Sequence, residues 1–337
     1  TCKFRVWAPK AKTIHLVIDD QKYQMDRNEF GYWSKTLGNI EPGIRYKYQV
    51  NNSGIYPDPA SLSQPRGVHE ASEVIDLNDF EWSDNDWKNI SLRDMIQYEI
   101  HTGTFSHQSD FKGIRDKLDY LKKLGINTIE IMPVAQFSGT RNWGYDGAYP
   151  FAVQNSYGGP KELLALVNEC HNNEIAVILD VVYNHFGPEG NYVGNFGHYF
   201  SGKYSTPWGQ SINFDGPYCD GVRNYVIQNA LMWCRDFHMD GLRLDAVHAI
   251  FDFSAKHIMW ELAEKLNELS MKTGRTHYLI AESNLNDVRY ISPVSKGGYG
   301  LHAQWSDDFH HAVHSLVTNE NKGYYMDFGK PDQLSKA

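Results

Sequence analysis

Hydrophobic and polar positions alternate in short runs over roughly the first 85 residues. The clearest runs, at residues 4–9, 14–18, 32–34 and 46–50, are separated by Gly, Pro, Asp and Asn, which favour turns. This pattern is typical of short strands that follow one another at nearly regular spacing. We therefore predict a small all-β sandwich over residues 1–85.

The period changes near residue 92, where apolar runs typical of buried strands begin to alternate with amphipathic helical segments. The predicted strands cover residues 95–101, 126–133, 175–182, 241–247, 277–282 and 301–305. The predicted helices cover residues 114–124, 160–172, 222–237 and 253–271. Repeated β-α units without an antiparallel break favour a (β/α)8 TIM barrel over a doubly wound sheet. Because only about six strands are present, we expect an incomplete barrel over residues 92–337 and a longer natural protein.

Composition places the chain among ordinary globular proteins, with 41% hydrophobic and 22% charged residues. The net charge of −9 argues against nucleic acid or an anionic membrane as a partner. No apolar run has the length of a membrane span and no signal peptide is visible, so we expect a cytoplasmic location. The cysteines are scattered, and the pair His310 and His314 lacks a third ligand, so we predict neither a metal nor another cofactor.

Two of the predicted strands end in an acidic residue. Leu242 and Leu244 alternate with Arg243 and Asp245, which places the arginine and the aspartate on the same side of one strand. Glu282 ends the next strand. Glycoside hydrolysis needs such a pair of carboxylates, because one attacks the anomeric carbon while the other protonates the leaving oxygen. We predict Asp245 as the nucleophile, kept ionised by Arg243, and the partly desolvated Glu282 as the general acid. The alternative for Asp245 is a buried structural ion pair with Arg243, and the alternative for Glu282 is a surface acid after a strand.

The strand before this pair ends in a second group of candidates for substrate contact. Asp180 lies between two apolar residues, so we expect it to be buried, with Arg243 as the partner for its charge. Asn184 and His185 follow just past the strand end and should face the mouth of the barrel.

Two loops outside these strands add aromatic and acidic candidates. Tyr145 offers a ring for stacking on a sugar, with loop packing as the alternative. The end of the sixth predicted strand combines aromatic, amide and acidic side chains that could contact substrate: Gln304, Trp305, Asp307 and Asp308. Helix N-capping by Asp307 or Asp308 is the alternative there.

Taken together, these motifs resemble the alpha-amylase family of retaining glycosidases and transglycosidases. Residues 180–185, residues 241–248 and Glu282 look like the first three signature regions of that family. The resemblance implies that Asp245 is the nucleophile and Glu282 the acid/base. It also implies that three side chains line the subsite of the attacked glucose: His185, Arg243 and His248. The all-β region resembles the carbohydrate-binding-type modules that precede the barrel in some members.

Finer features of the motifs imply a substrate. Several segments look like those of family members that hydrolyse the α-1,4 bond next to a terminal trehalose unit and release trehalose: residues 58–61, 64–69, 98–105, 142–147, 243–248, 281–287 and 304–311. The implied partner is an oligosaccharide, either a trehalose-capped maltooligosaccharide or another α-glucan. Two alternatives stay open, a branching or debranching enzyme and a non-catalytic glucan-binding protein. The Asn-His-Asp of the family's fourth region, which supplies a third acid, does not occur in this sequence, so we expect it in a longer natural protein and the 337 residues alone could be inactive.

Overall fold

The computed structural model describes residues 1–337, and its first part consists of short antiparallel strands. These strands are β1 (Cys2–Trp7), β2 (Ile14–Ile18), β3 (Gln21–Gln24), β4 (Asp26–Arg27), β5 (Tyr32–Leu37), β6 (Arg45–Val50), β7 (Gly54–Tyr56) and β8 (Ser72–Glu73). They form two sheets, one with the order β1-β5-β4 and the other with the order β3-β2-β6-β7, with β8 paired to β6. Alternate residues of β6 are buried, and Tyr46 packs edge-on against Phe4 of the facing sheet at 4.9 Å between ring centroids. Burial of one face of each sheet therefore explains the alternating pattern in the sequence.

The second part is built on a parallel sheet. Its strands and those of two small hairpins are β9 (Gln97–Ile100), β10 (Thr128–Ile131), β11 (Ala135–Gln136), β12 (Tyr149–Val153), β13 (Ala176–Val181), β14 (Phe200–Thr206), β15 (Gly209–Ile212), β16 (Gly241–Leu244), β17 (Tyr278–Ser283) and β18 (Ala303–Ser306). The six-stranded sheet has the order β9-β10-β13-β16-β17-β18, and every neighbouring pair in it is parallel. This order follows the chain, as in a TIM barrel rather than a doubly wound sheet. The predicted fold, an all-β sandwich followed by six strands of a barrel, is confirmed.

Helices lie between the parallel strands and after the last of them. The α-helices are α1 (Thr102–Phe105), α2 (Phe111–Arg115), α3 (Leu118–Leu124), α4 (Gly159–Asn172), α5 (Cys219–Arg235), α6 (Ile258–Thr273), α7 (Asp307–Thr318) and α8 (Pro331–Lys336). Short 3-10 helices span Leu77–Asp79, Leu92–Asp94, Asn155–Tyr157, Val193–Asn195, Val247–Ala249, Val294–Lys296 and Gly323–Tyr325. No helix has both the length and the apolar character that crossing a bilayer requires.

Two predicted helices differ from those in the structure. The helix predicted over residues 114–124 is broken into α2 and α3, and Leu124, expected on the buried face, is exposed because α3 ends there at Gly125 with a left-handed φ of 90°. The helix predicted from residue 253 begins only at Ile258. Asp252 holds this start in place, since its carboxylate accepts hydrogen bonds from the N–H groups of Ser254 and Ile258.

Antiparallel pairing, which the sequence analysis did not expect after residue 92, occurs in the loops. β11 pairs with β12 after the second barrel strand, and β14 pairs with β15 within the long insert after the third. Neither hairpin interrupts the parallel sheet, because both lie in loops that follow the carboxyl ends of parallel strands.

The sandwich and the barrel meet along α5. The indole of Trp7 fits between two glycines, because a Cβ on Gly197 would lie 2.7 Å from the ring and one on Gly221 only 2.1 Å away. Tyr225 of α5 donates a hydrogen bond to the carbonyl of Pro59 at 2.6 Å. These contacts fix the sandwich against the outer side of the barrel.

Candidate active site

The centre of the candidate site is a buried ion pair between β13 and β16. Asp180 and Arg243 occupy directly paired positions, and Arg243 Nη1 lies 3.0 and 3.1 Å from the two carboxylate oxygens of Asp180. Complete burial raises the pKa of Asp180 to about 7, although Arg243 and a hydrogen bond from Tyr145 oppose the rise. Burial by itself lowers the pKa of Arg243, but the nearby carboxylates raise it by more than burial lowers it. The pKa is therefore above its ordinary value, and the guanidinium stays charged. The structure thus places Asp180 where the sequence analysis expected it.

Asp245 follows β16 directly and is held on both of its carboxylate oxygens. Oδ1 accepts a hydrogen bond from Arg243 Nη1 at 2.8 Å, and Oδ2 accepts one from Asn184 Nδ2, also at 2.8 Å. Asn184 Nδ2 also lies 2.9 Å from the backbone carbonyl of Asp245. The carboxylate is therefore fixed in orientation, and its partly exposed position leaves it open to the mouth of the barrel.

Glu282 lies in β17, the strand next to β16. Its Oε2 accepts a hydrogen bond from the backbone N–H of Ala246 at 2.7 Å and lies 3.8 Å from Arg243 Nη2, whereas Oε1 has no protein partner. The two terminal nitrogens of a guanidinium are about 2.3 Å apart, so the nearest carboxylate oxygens of Asp245 and Glu282 lie within roughly 9 Å of each other. This limit includes the separation of about 5 to 5.5 Å that retaining glycosidases use.

Tyr145, Asn184 and His185 lie around this centre. Tyr145 donates a hydrogen bond to Asp180 at 2.9 Å, so its hydroxyl is part of the ion-pair network, a contact that the expectation of ring stacking did not include. His185 is buried, and its Nδ1 lies 2.5 Å from Asn184 Oδ1. Burial lowers the pKa of His185, so the imidazole is neutral at pH 7.

The other predicted site residues lie at the end of β18 and in the turn after β16. Trp305 lies under the guanidinium of Arg243, with 4.8 Å between the guanidinium carbon and the ring centroid. Gln304 Nε2 is 3.5 Å from the carbonyl of Ser283. His248 is half-buried, and its Nδ1 has no partner.

The acids at the start of α7 do not cap that helix. Ser306 is the N-cap residue, because its hydroxyl accepts the N–H of Phe309 at 3.3 Å. The capping alternative for Asp307 and Asp308 is therefore wrong. Asp308 instead accepts a hydrogen bond from Asn286 Nδ2 at 2.5 Å, while Asp307 makes no side-chain hydrogen bond.

Comparisons with known proteins identify relatives of this chain. The family described as "Alpha amylase, catalytic domain" matches residues 55–205, and "Carbohydrate-binding module 48 (Isoamylase N-terminal domain)" matches residues 1–65. A malto-oligosyltrehalose trehalohydrolase from Saccharolobus solfataricus is 49% identical over 99% of this chain. A crystal structure described as a putative alpha amylase from Salmonella typhimurium has a TM-score of 0.92 and 36% identity over 99% of this chain. The chain has the fold of the alpha-amylase family.

The chain spans only part of these relatives. It covers 58% of the Saccharolobus enzyme and 57% of the Salmonella structure. A 1,4-alpha-glucan branching enzyme from Clostridium perfringens is more distant, at 28% identity over 90% of this chain and 53% of its own length. The similarity is thus greater to the trehalohydrolase than to the branching enzyme.

Two residues of the site were missed by the sequence analysis. Trp208, at the tip of the β14–β15 hairpin, stacks on His185 with 5.6 Å between ring centroids. Its only sequence signal was a tryptophan in an aromatic-rich insert. Glu130 is fully buried in β10, and burial followed by the charge of Asp180 raises its pKa well above the usual range. An acid between two isoleucines was a visible signal for Glu130.

This arrangement can carry out acid-assisted displacement at a sugar carbon. The orientation of Asp245 by Arg243 and Asn184 suits a nucleophile, whose attacking oxygen must hold a fixed direction. Glu282 has one anchored oxygen and one unpartnered oxygen, which suits a group that passes a proton to a leaving oxygen. Trp208 and Trp305 supply aromatic surface next to the polar centre.

Proposed function

We propose that the whole protein is a retaining glycoside hydrolase that cleaves the α-1,4 bond next to the terminal trehalose of a maltooligosyltrehalose and releases trehalose. One observation carries the chemistry: Asp245 and Glu282 lie on adjacent strands and share contacts with one guanidinium, that of Arg243. The choice of substrate is supported by the 49% identity to the Saccharolobus trehalohydrolase.

The proposed reaction has two steps. Asp245 attacks the anomeric carbon of the glucose next to trehalose, and Glu282 gives its proton to the departing 4-oxygen of trehalose. Glu282, now ionised, takes a proton from water, which attacks the glycosyl-enzyme ester and releases the maltooligosaccharide. His185, Arg243 and His248 would contact the glucose that is attacked. Neither step requires a cofactor, and a cytoplasmic location is part of the same proposal.

Product analysis with maltooligosyltrehalose and an uncapped maltooligosaccharide of equal length tests this function. We expect trehalose from the capped substrate, at a much higher rate than any product from the uncapped one. A site whose polar groups match the hydroxyls of the terminal sugar discriminates strongly against a ligand that lacks the match.

Two other outcomes of the same assay support different functions. New α-1,6 branches in amylose, without trehalose from the capped substrate, would assign the protein to the branching enzymes, of which the Clostridium relative is an example. Binding of both substrates without any product would assign it as a non-catalytic glucan-binding protein.

A further inference from the structure

One loop of the sandwich extends to the barrel on the side where the candidate active site lies. It leaves the sandwich after β7 and returns at β8, and its residues 64–70, here called the bridging segment, contact β12 and the loop that follows β13. Asn155, just after β12, donates a hydrogen bond to the carbonyl of Pro65 at 3.1 Å. The proposed reaction gives the bridging segment no role, although residues 64–69 are one of the motifs on which the sequence resemblance rests.

Val68 anchors the bridging segment in a small apolar cluster of its own. The valine is buried and packs with Ala148, Tyr149 and Ala152, in a cluster that is separate from the main hydrophobic core. Gly190, in the loop after β13, lies against the same valine, because a Cβ at position 190 would be only 2.3 Å from Val68 Cβ and Cγ2. The valine therefore fills the space directly beside the backbone of that loop.

A single buried hydroxyl joins the bridging segment to the loop after β13. Tyr149 Oη lies 2.8 Å from the carbonyl oxygen of Val68 and 3.0 Å from that of Gly190, and it donates to both. Burial raises the pKa of Tyr149, so the hydroxyl keeps its proton and remains a donor. Because Tyr149 is buried, removal of its hydroxyl would leave both carbonyl groups without this donor.

At the surface, His69 joins the same two segments. Its Nε2 is 2.7 Å from Glu189 Oε1, and its Nδ1 is 2.7 Å from the hydroxyl oxygen of Tyr192. Its carbonyl accepts a hydrogen bond from Lys47 Nζ of β6 at 3.1 Å, which ties this point back to the sandwich. These exposed contacts contribute less than the buried ones, but they hold the loop on both sides of Gly190.

The loop held in this way begins at the candidate active site, because it follows His185 directly. The N–H of Gly187 donates to the carbonyl of Gly147 at 2.9 Å, and a Cβ at position 187 would lie 1.9 Å from the carbonyl oxygen of Asp146. One side of the loop is thus in close contact with the segment after β11, and Gly190 is in close contact with the bridging segment. The position of His185 therefore depends on a loop that the sandwich holds in place.

We propose that the bridging segment and Tyr149 position His185 for the glucose that is attacked, so that the sandwich supplies part of the geometry of the active site. Val68 and Tyr149 are positioning residues, because they act through the loop and touch no reacting atom. The contact of His185 with glucose rests on the proposed function, whereas the hold on the loop does not depend on the substrate.

Steady-state kinetics of Tyr149→Phe in the whole protein, with maltooligosyltrehalose as substrate, test this role. Phenylalanine keeps the ring in the apolar cluster and removes only the hydroxyl. We expect KM to rise by about fivefold or more with a smaller fall in kcat, because a loosened loop must be ordered again when the substrate binds. Tyr225→Phe is the matched control, since it removes another buried hydroxyl that bonds to a sandwich carbonyl, that of Pro59, and it should leave both constants unchanged.

A double-mutant cycle with His185→Ala separates positioning from a general loss of stability. If the bridging segment acts through His185, Tyr149→Phe should cause no further change in KM in the His185→Ala background. Equal effects of Tyr149→Phe in both backgrounds would overturn the proposal, and so would an unchanged KM in the single variant. Val68→Ala, which shortens the side chain beside Gly190, is a second variant and should give the same pattern.

Hydrogen exchange measures the hold on the loop without any substrate. We expect peptides that cover residues 184–192 to exchange about threefold faster or more in Tyr149→Phe than in the unaltered protein, with no change in Tyr225→Phe. Equal exchange of this segment in Tyr149→Phe and the unaltered protein would contradict the proposal. If the unaltered protein releases no trehalose, the proposed function fails, whereas faster exchange in Tyr149→Phe would still support the hold of the bridging segment on the loop.

Discussion

Asp58 carries a buried carboxyl group where the sandwich meets the barrel. Its replacement tests how burial of a charge changes the free energy of unfolding with pH. Tyr46 donates a hydrogen bond to its Oδ2 and the N–H of Ala60 donates one to its Oδ1, both at 2.8 Å. No cation pairs with it. Burial raises the pKa of Asp58 to about 6, because these hydrogen bonds only partly replace the lost hydration.

The sign of the effect on stability follows from proton linkage. An acid whose pKa is higher in the folded state than its unfolded value of about 3.9 binds a proton more tightly when folded. Its burial therefore costs little below about pH 4, and the free energy of unfolding falls as the pH rises from about 4 to 6. A difference of about 2 pKa units corresponds to roughly 3 kcal/mol at higher pH.

Asp58→Asn keeps the shape of the side chain and removes the charge. We expect the variant to match the unaltered protein near pH 4 and to be more stable by up to roughly 3 kcal/mol above about pH 7. Urea unfolding over this pH range measures the difference. Asp26→Asn, at an exposed aspartate in β4, is the control and should show no such trend. A stability difference between the Asp58 variant and the unaltered protein that does not change with pH would refute the reasoning.

Three further predictions concern the barrel site. Asp245→Asn is expected to abolish turnover while glucan binding persists, and product formation together with titration checks both. Glu282→Gln is expected to do the same on the natural substrate. Substrates with good leaving groups should partly restore formation of the glycosyl-enzyme, because their departure needs no acid. Wild-type rates in either variant would remove that residue from the mechanism. Trp208→Ala is expected to raise KM several-fold with a smaller effect on kcat, since the ring stacks on His185 and has no part in the proposed proton transfer. An unchanged KM would exclude Trp208 from substrate binding.

The sequence was most informative where one strand carries both a charge and its partner. Asp245 directly follows β16 and is two residues from Arg243, so their contact follows from the alternation of side chains along an extended chain. The contact of Asp180 with Arg243 required only that the two strands be neighbours. Asn184 was expected at the mouth of the barrel, but its hydrogen bond to Asp245 depends on the course of a loop.

Features that depend on three-dimensional packing could not be predicted. No sequence pattern links Trp208 to His185, because the two rings meet only through the folding of a hairpin inside a long insert. The break between α2 and α3 depends on the local backbone around Lys117, whose φ and ψ leave the helical region although the apolar spacing continues. The backbone N–H of Ala246, which anchors Glu282, has no sequence signal at all.

The roles of the two candidate acids follow from how their neighbours hold them. Arg243 is fixed first by Asp180, which is buried beneath it, and the guanidinium then reaches Asp245 directly but Glu282 only at 3.8 Å. Asp245 consequently has a donor on each oxygen and little freedom to rotate, as a nucleophile requires. Ala246, whose φ is a left-handed 41°, donates its own N–H to one oxygen of Glu282, and the other oxygen of that carboxyl has no protein partner. A strained residue directly after the nucleophile thus supports the acid, so the two carboxyl groups are positioned by a single short segment of chain.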